Sequence, residues 1–183
     1  MFRTIPNQIT LARIASVPLL MFLILAGANS RTATLLAIAV FVLAALSDAV
    51  DGYLARSFRQ TSTFGKFADP IADKLLIIGA LLCFVQLNEL LAAPVMVLIA
   101  REFLVTGLRI LAIDEGTAIG ASVLGKMKMV SHLWLVLAVL VNRSFELGVA
   151  GDLAVSAVLY FAILLSLVSG AEYGFRLRRL FSR

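Results

Sequence analysis

Apolar residues form long runs along the chain, and short polar segments separate one run from the next. Runs of this length predict membrane-spanning helices, since about 20 residues cross the hydrocarbon core of a bilayer. The pattern contains no internal repeat and no linker, so it predicts an all-α membrane protein with six transmembrane helices in a single domain, residues 1–183. The predicted helices are 9–28, 33–57, 67–88, 91–112, 123–142 and 149–174.

Two charge-free runs are too short to cross a membrane by themselves. Residues 32–47 number 16 and residues 75–88 number 14, whereas a span takes about 20. The second and third helices must therefore complete their spans with polar turns. This places the polar residues between the two runs near one membrane face.

Four aspartates lie in that polar stretch: Asp48 and Asp51 before the loop, and Asp69 and Asp73 after it. Spacings of three and four residues put each pair on one face of a helix. Carboxylates beside a bilayer are costly unless they are paired, and divalent cations can bind several of them at once. Capping of a helix by Asp69 would explain one acid and leave three. The sequence therefore predicts a metal site.

The helical face of Asp48 also carries Gly52, Ala55 and Arg56, at about 100° per residue. Small side chains allow a flat or bulky group to approach the backbone. The guanidinium of Arg56 can bind a phosphate oxygen.

The stretch resembles the signature of the CDP-alcohol phosphotransferases, D-x-x-D-G-x-x-A-R-x(8)-G-x(3)-D-x(3)-D. An Asn-x-x-Thr element, Asn7 to Thr10, also resembles the family, although Asn7 could equally be a helix cap after Pro6. The resemblance implies a metal-dependent enzyme that transfers the phosphatidyl group of CDP-diacylglycerol to an alcohol and releases CMP. The eight fixed positions of the signature are all matched: Asp48, Asp51, Gly52, Ala55, Arg56, Gly65, Asp69 and Asp73.

The resemblance also implies roles for these residues. The four aspartates would hold Mg²⁺ or Mn²⁺, as two ions, and Asp73 would in addition be the base that takes the proton of the attacking hydroxyl. Relatives form homodimers, so a homodimer is expected. The residues expected to contact CDP-diacylglycerol are Asn7, Thr10, Gly52, Ala55, Arg56, Ser62 and Gly65.

Further charges lie in the fourth and fifth predicted helices. Residues 99–112 and 125–129 are similar to bacterial family members whose acceptor is glycerol 3-phosphate. Because adjacent residues do not face each other on a helix, neutralisation of Arg101 by Glu102 is not assured. We expect Arg109 and Lys126 to bind the acceptor phosphate. The further candidates are Arg101, Lys128 and Arg176; anchoring of these cations at the interface by snorkelling is the alternative.

Composition supports a membrane protein: 61% of the 183 residues are hydrophobic and 15% are charged. The net charge of +5 could suggest nucleic acid, but the cations lie in short loops and at the C-terminus, which fits membrane topology and anionic lipid better. The positive-inside rule places both termini and the aspartate loop in the cytoplasm, and the resemblance implies the inner membrane of a bacterium. Arg31 and Arg143 flank the opposite face. The cytoplasmic set is Arg3, Arg56, Arg59, Lys66, Lys126, Lys128, Arg176, Arg178, Arg179 and Arg183.

Some residues are interpreted as structural. Cys83, His132 and Trp134 have no neighbours at metal-ligand spacing and are expected to pack. The N-terminal apolar segment is not expected to be a signal peptide, because Arg13 interrupts it and the rest of the chain is equally apolar.

Alternatives of two kinds remain open. Within the family, the acceptor could be phosphatidylglycerol, as in cardiolipin synthesis, or inositol phosphate, serine or a choline-like alcohol. From other classes, the acids could belong to a membrane prenyltransferase or to an ion or proton relay in a transporter. A prenyltransferase would need a second aspartate-rich motif, which is absent from the sequence. A relay would not require Gly52, Ala55, Arg56 and Gly65 at their spacings.

Overall fold

The computed structural model describes the backbone of residues 5–58, 63–114 and 122–181, and the side chains of residues 11–47, 71, 74–112 and 122–176. Within these ranges the regular structure consists of six α-helices and a short 3-10 helix, Gly27–Asn29, with no strand. The helices are α1 (Ile5–Ala26), α2 (Arg31–Phe58), α3 (Thr63–Gln86), α4 (Ala92–Asp114), α5 (Val123–Phe145) and α6 (Gly148–Phe181).

The prediction of an all-α chain with six helices is confirmed, and each predicted helix corresponds to one observed helix. The main differences lie at the polar ends. Helix α1 begins at Ile5 rather than at 9, α3 begins at Thr63 rather than at 67, and α6 continues to Phe181 rather than ending at 174. Apolar runs identify the middle of a helix, whereas these ends are polar, so hydropathy alone places them too far inward.

Three segments of the described helices are long and apolar enough to cross a membrane: Leu11–Asn29, Val123–Phe145 and Gly148–Arg176. Arg31–Ser47 and Lys74–Gln86 are shorter apolar segments, as the two short charge-free runs predicted. That all six helices cross a membrane, with both termini in the cytoplasm, stays a prediction, as does the single domain.

Local hydrogen bonds explain how α2 begins and how α3 ends. The hydroxyl of Ser30 accepts a hydrogen bond from the amide of Ala33 at 3.3 Å, which caps the start of α2. At the end of α3, Asn88 adopts a φ of 58°, and the amide of Glu89 donates to the carbonyl of Phe84 at 2.9 Å. This left-handed turn satisfies backbone carbonyls at the end of α3 and ends the helix.

The contacts divide the chain into two compact units, of which the first comprises Met1–Glu89 and Val139–Glu146. In this unit α1 packs against α2 and α3, and α2 also contacts α3. A Cβ on Gly79 of α3 would lie 3.2 Å from both Met21 Sδ and Val17 Cγ1 of α1, so the glycine permits a close approach of the two helices. Fully buried side chains include Leu20, Ile24, Phe41 and Phe84.

The second unit comprises Leu90–Ala138 and Leu147–Arg183, and in it α4 packs against α6. Its buried side chains include Leu98 and Ala162. Large apolar side chains also lie on its outside, such as Phe103, Trp134 and Phe161. The exposure of Trp134 contradicts the expectation that this residue packs in the interior, and an outward apolar surface suits a lipid environment.

Candidate active site

The four motif aspartates lie on two helices of the first unit. Asp48 and Asp51 are in α2, and Asp69 and Asp73 are in α3. Since both segments are helical, the spacing of three or four residues places each pair on one side of its helix. The positions of the four carboxylates lie outside the described side chains, so the predicted ligand set stays a prediction.

The other signature residues fall on the same helices. Gly52, Ala55 and Arg56 are in α2, and Gly65 is in α3. Their side-chain contacts, like those of Asn7 and Thr10 in α1, lie outside the described side chains, and Ser62 lies outside the described residues altogether.

The donor chemistry of this motif fits a divalent cation. Carboxylate oxygens are the preferred ligands of Mg²⁺ and Mn²⁺, and four of them on two neighbouring helices supply enough oxygens for such ions. Among the described side chains, by contrast, no three His, Cys, Asp or Glu residues are grouped so that they could hold a metal. The motif aspartates therefore remain the candidate ligands.

Arg101, one of the predicted acceptor cations, is buried in the second unit with 8% of its surface exposed. Its Nε donates to the carbonyl of Ser166 at 2.9 Å, and its Nη2 donates to Ser169 Oγ at 2.7 Å. Its Nη1 lies 3.0 Å from Glu102 Oε1. Arg101 and Glu102 thus do form an ion pair although they are adjacent in sequence, because the long arginine side chain can reach the neighbouring carboxylate.

Glu102 has a second cationic partner that sequence reasoning did not identify. Lys128 of α5 donates to the same carboxylate oxygen, Oε1, and both side chains are largely buried. The two residues are far apart in sequence, and their pairing follows from the packing of the helices. Two of the five predicted acceptor cations, Arg101 and Lys128, are therefore held by one carboxylate.

The other three predicted acceptor cations are more exposed. Arg109 of α4 donates from Nη2 to the hydroxyl of Tyr173 in α6 at 2.7 Å. Lys126, near the start of α5, has an exposed side chain. Arg176 pairs with Glu172 one helical turn away. The structure brings Arg109 next to a neutral partner, and this sets it apart from the cations that pair with carboxylates.

Two residues expected to be structural are indeed buried. Cys83 is 1% exposed, and His132 is 2% exposed. Within the described part of the chain, His132 Nε2 has no hydrogen-bond partner. Both residues therefore serve the packing of their units.

Comparisons with known proteins agree with the motif. The model of the CDP-alcohol phosphatidyltransferase family matches residues 3–168. The chain is 43% identical over 182 residues to the CDP-diacylglycerol–glycerol-3-phosphate 3-phosphatidyltransferase of Bacillus subtilis, covering 92% of each protein. It is 32% identical over 169 residues to the protein of the same name in Rickettsia bellii, again covering 92% of each. A probable phosphatidylglycerophosphate synthase of Mycobacterium tuberculosis H37Rv is 38% identical over 170 residues, with 91% of this chain and 78% of that protein covered. The chain therefore belongs to the CDP-alcohol phosphatidyltransferase family.

Proposed function

We propose that the chain transfers the phosphatidyl group of CDP-diacylglycerol to glycerol 3-phosphate, giving phosphatidylglycerophosphate and CMP in phospholipid biosynthesis. The observation that carries the choice of acceptor is the 43% identity to a Bacillus subtilis protein named for this reaction, over 92% of both chains. The complete signature on α2 and α3 supports the donor substrate and the type of reaction.

In this proposal Asp48, Asp51, Asp69 and Asp73 would hold two divalent ions, Mg²⁺ or Mn²⁺. Bound there, the ions would supply charge neutralisation at the pyrophosphate of the donor and at the departing CMP. A carboxylate oxygen of Asp73 accepts the proton of the attacking hydroxyl, which requires only that Asp73 is ionised and within hydrogen-bond reach.

The nucleotide part of the donor would bind to the remaining signature residues. Gly52, Ala55 and Gly65 have little or no side chain and would allow the CMP group to approach the helix backbones. Arg56 would bind a phosphate oxygen through its guanidinium. Ser62, Asn7 and Thr10 would add polar contacts.

Arg109 and Lys126 are the cations best suited to bind the phosphate of glycerol 3-phosphate. Their side chains are exposed, and neither forms an ion pair with a carboxylate within the described part of the chain. A cation that already pairs with a carboxylate offers less charge to a second anion. Arg101, Lys128 and Arg176 each have such a carboxylate, so we assign them a supporting role.

The proposal also places the protein in a membrane. All six helices would cross the inner membrane of a bacterium, with both termini and the aspartate motif on the cytoplasmic side, and the chain would form a homodimer. The three long apolar segments and the excess of basic residues on one side support the span and the orientation.

Other acceptors within the family are the main alternative, namely phosphatidylglycerol or inositol phosphate. The prenyltransferase and transporter alternatives lose their support, because the family model covers most of the chain, including the aspartate motif.

An acceptor panel tests the proposal directly. Purified protein in detergent is given CDP-diacylglycerol, Mg²⁺ and one acceptor at a time, and CMP release and lipid product are measured. Glycerol 3-phosphate should support turnover well above phosphatidylglycerol, inositol phosphate and free glycerol. Asp73→Asn protein gives the background, and faster turnover with any other acceptor would refute the assignment.

A further inference from the structure

Tyr173 of α6 is buried in the second unit, with 2% of its surface exposed, yet it contacts a cation with an exposed side chain. Its hydroxyl accepts a hydrogen bond from Arg109 Nη2 at 2.7 Å. The guanidinium carbon of Arg109 also lies 5.5 Å from the centroid of the tyrosine ring, within the range of a cation–π contact. One fixed aromatic side chain therefore holds the arginine through two contacts.

The ring of Tyr173 also lies close to the start of α5. A Cβ built on Gly125 would be 3.9 Å from Tyr173 Cε2, so the ring packs beside the residue that precedes Lys126. Tyr173 thus contacts Arg109 on α4 and lies beside the backbone next to Lys126 on α5. These are the two cations best suited to bind the acceptor phosphate.

The neutrality of the phenol is important for this arrangement. A carboxylate would fix Arg109 as firmly, as Glu102 fixes Lys128, but it would also neutralise the charge. The phenol restrains the guanidinium without neutralising it. The positive charge of Arg109 and its other N–H groups therefore remain able to bind an anion. A long arginine side chain otherwise loses much rotational freedom when it binds a ligand, and restraint before binding reduces that loss.

We propose that Tyr173 is a positioning residue that orients Arg109 for the phosphate of the acceptor. This inference rests on the proposed function. It assigns the buried tyrosine a role in acceptor affinity that acts through Arg109, in addition to its packing between helices.

Tyr173→Phe is the direct test, because it removes the hydroxyl and retains the ring. The KM for glycerol 3-phosphate should rise about 3- to 10-fold, as expected for the loss of one hydrogen bond, while the KM for CDP-diacylglycerol and kcat change less than about twofold. Tyr160→Phe is the matched control, since Tyr160 is 63% exposed on the same helix. An unchanged KM for glycerol 3-phosphate, or an equal rise for both substrates, would overturn the inference.

A double-mutant cycle separates positioning from packing. In an Arg109→Gln background, Tyr173→Phe should cause no further rise in the KM for glycerol 3-phosphate, because its effect passes through the arginine. The same fold-change in both backgrounds would show that Tyr173 acts independently and would refute the inference.

A second variant covers the case in which Tyr173→Phe does not fold. Arg109→Lys keeps the charge but replaces the planar guanidinium, whose Nη2 donates to the phenol, with a compact ammonium group on a shorter side chain. It should cause a rise in the KM for glycerol 3-phosphate of the same size, and wild-type kinetics in this variant would refute the inference. Wild-type protein that does not use glycerol 3-phosphate at all would instead refute the proposed function.

Discussion

Arg143 of α5 and Glu89, in the turn after α3, form an ion pair with two hydrogen bonds. Arg143 Nε donates to Glu89 Oε1 at 2.6 Å, and Nη2 donates to Oε2. The remaining nitrogen, Nη1, donates to the carbonyl of Ile24 near the end of α1 at 2.7 Å. The side chains are only 12% and 26% exposed, so the pair is mostly shielded from water. It joins three segments of the first unit.

Glu89→Gln should destabilise the protein without changing the acceptor preference. The amide keeps one acceptor oxygen but loses the charge and one of the two hydrogen bonds to Arg143, which we expect to lower the free energy of unfolding by about 1.5–3 kcal/mol. Thermal unfolding in detergent measures the change. Glu146→Gln is the control, since Glu146 is exposed and forms no described ion pair. Equal stability of the two variants would contradict the role of the pair.

The helices of this fold could be predicted from the sequence because the signal is local. Long apolar runs predict α1 to α6. The fixed spacings of the motif single out four aspartates, from Asp48 to Asp73, as candidate metal ligands without any knowledge of packing. Pairings between distant segments could not be predicted in this way. The sequence marks Arg143 only as a flanking cation, and its partner Glu89 lies 54 residues away.

The same limit applies to the predicted acceptor cations. The sequence contains five such cations and gives little reason to prefer one over another. The structure distinguishes them by their hydrogen-bond and ion-pair partners. Glu102 lies next to Arg101 in the sequence, but its contact with Lys128 depends on the packing of the helices. Tyr173 carries no sequence signal for its contact with Arg109, because a tyrosine in an apolar helix is ordinary.

Glu102→Ala should reduce stability more than the loss of the acid at Glu89 or at Glu172. It leaves the mostly buried cations of Arg101 and Lys128 without their shared carboxylate, and the loss of one member of a buried ion pair costs about 3–5 kcal/mol. The free energy of unfolding in detergent is the measurement. The matched control is Glu172→Ala, which removes the more exposed pair with Arg176 and should cost less than about 1 kcal/mol. The idea fails if Glu102→Ala and Glu172→Ala lose the same amount.

Chelation of divalent metal should abolish CMP release, and added Mg²⁺ or Mn²⁺ should restore it. The four motif carboxylates cannot neutralise a pyrophosphate without cations, since both groups are negatively charged. The assay is turnover in excess chelator, followed by back-titration with each metal and with Ca²⁺ for comparison. Full turnover in excess chelator would rule out the metal assignment.

Asp73→Asn should leave CDP-diacylglycerol binding largely intact and remove turnover. The amide has nearly the same shape as the carboxylate but cannot accept the hydroxyl proton. Asp48→Asn and Asp69→Asn should instead weaken the binding of both metal and donor. Donor binding and single-turnover rate, measured on all three variants, separate the roles. A nearly wild-type rate for Asp73→Asn would mean that another group is the base.

Neutral replacement of Arg109 or Lys126 should weaken the binding of the acceptor and spare the donor. Each change removes a charge-assisted contact of roughly 1.5–3 kcal/mol, which corresponds to about 10- to 150-fold in affinity. The KM for glycerol 3-phosphate should rise by this factor, while the KM for CDP-diacylglycerol barely changes. Arg31→Gln is the matched control, because Arg31 is an exposed arginine at the start of α2, near the opposite end of that helix from the aspartates.

The pattern of the two Michaelis constants decides what these cations do. If Arg109→Gln and Lys126→Gln raise both constants equally, the cations act on the metal site or on the fold and not on the acceptor. If they raise only the constant for glycerol 3-phosphate, the comparison with free glycerol becomes the stricter test. Free glycerol lacks the phosphate, so its weak turnover should be the same in wild type and in both variants. Turnover of free glycerol as fast as that of glycerol 3-phosphate would refute a phosphate pocket. The phosphate would then contribute nothing to turnover, and Arg109 and Lys126 would have no role in binding it.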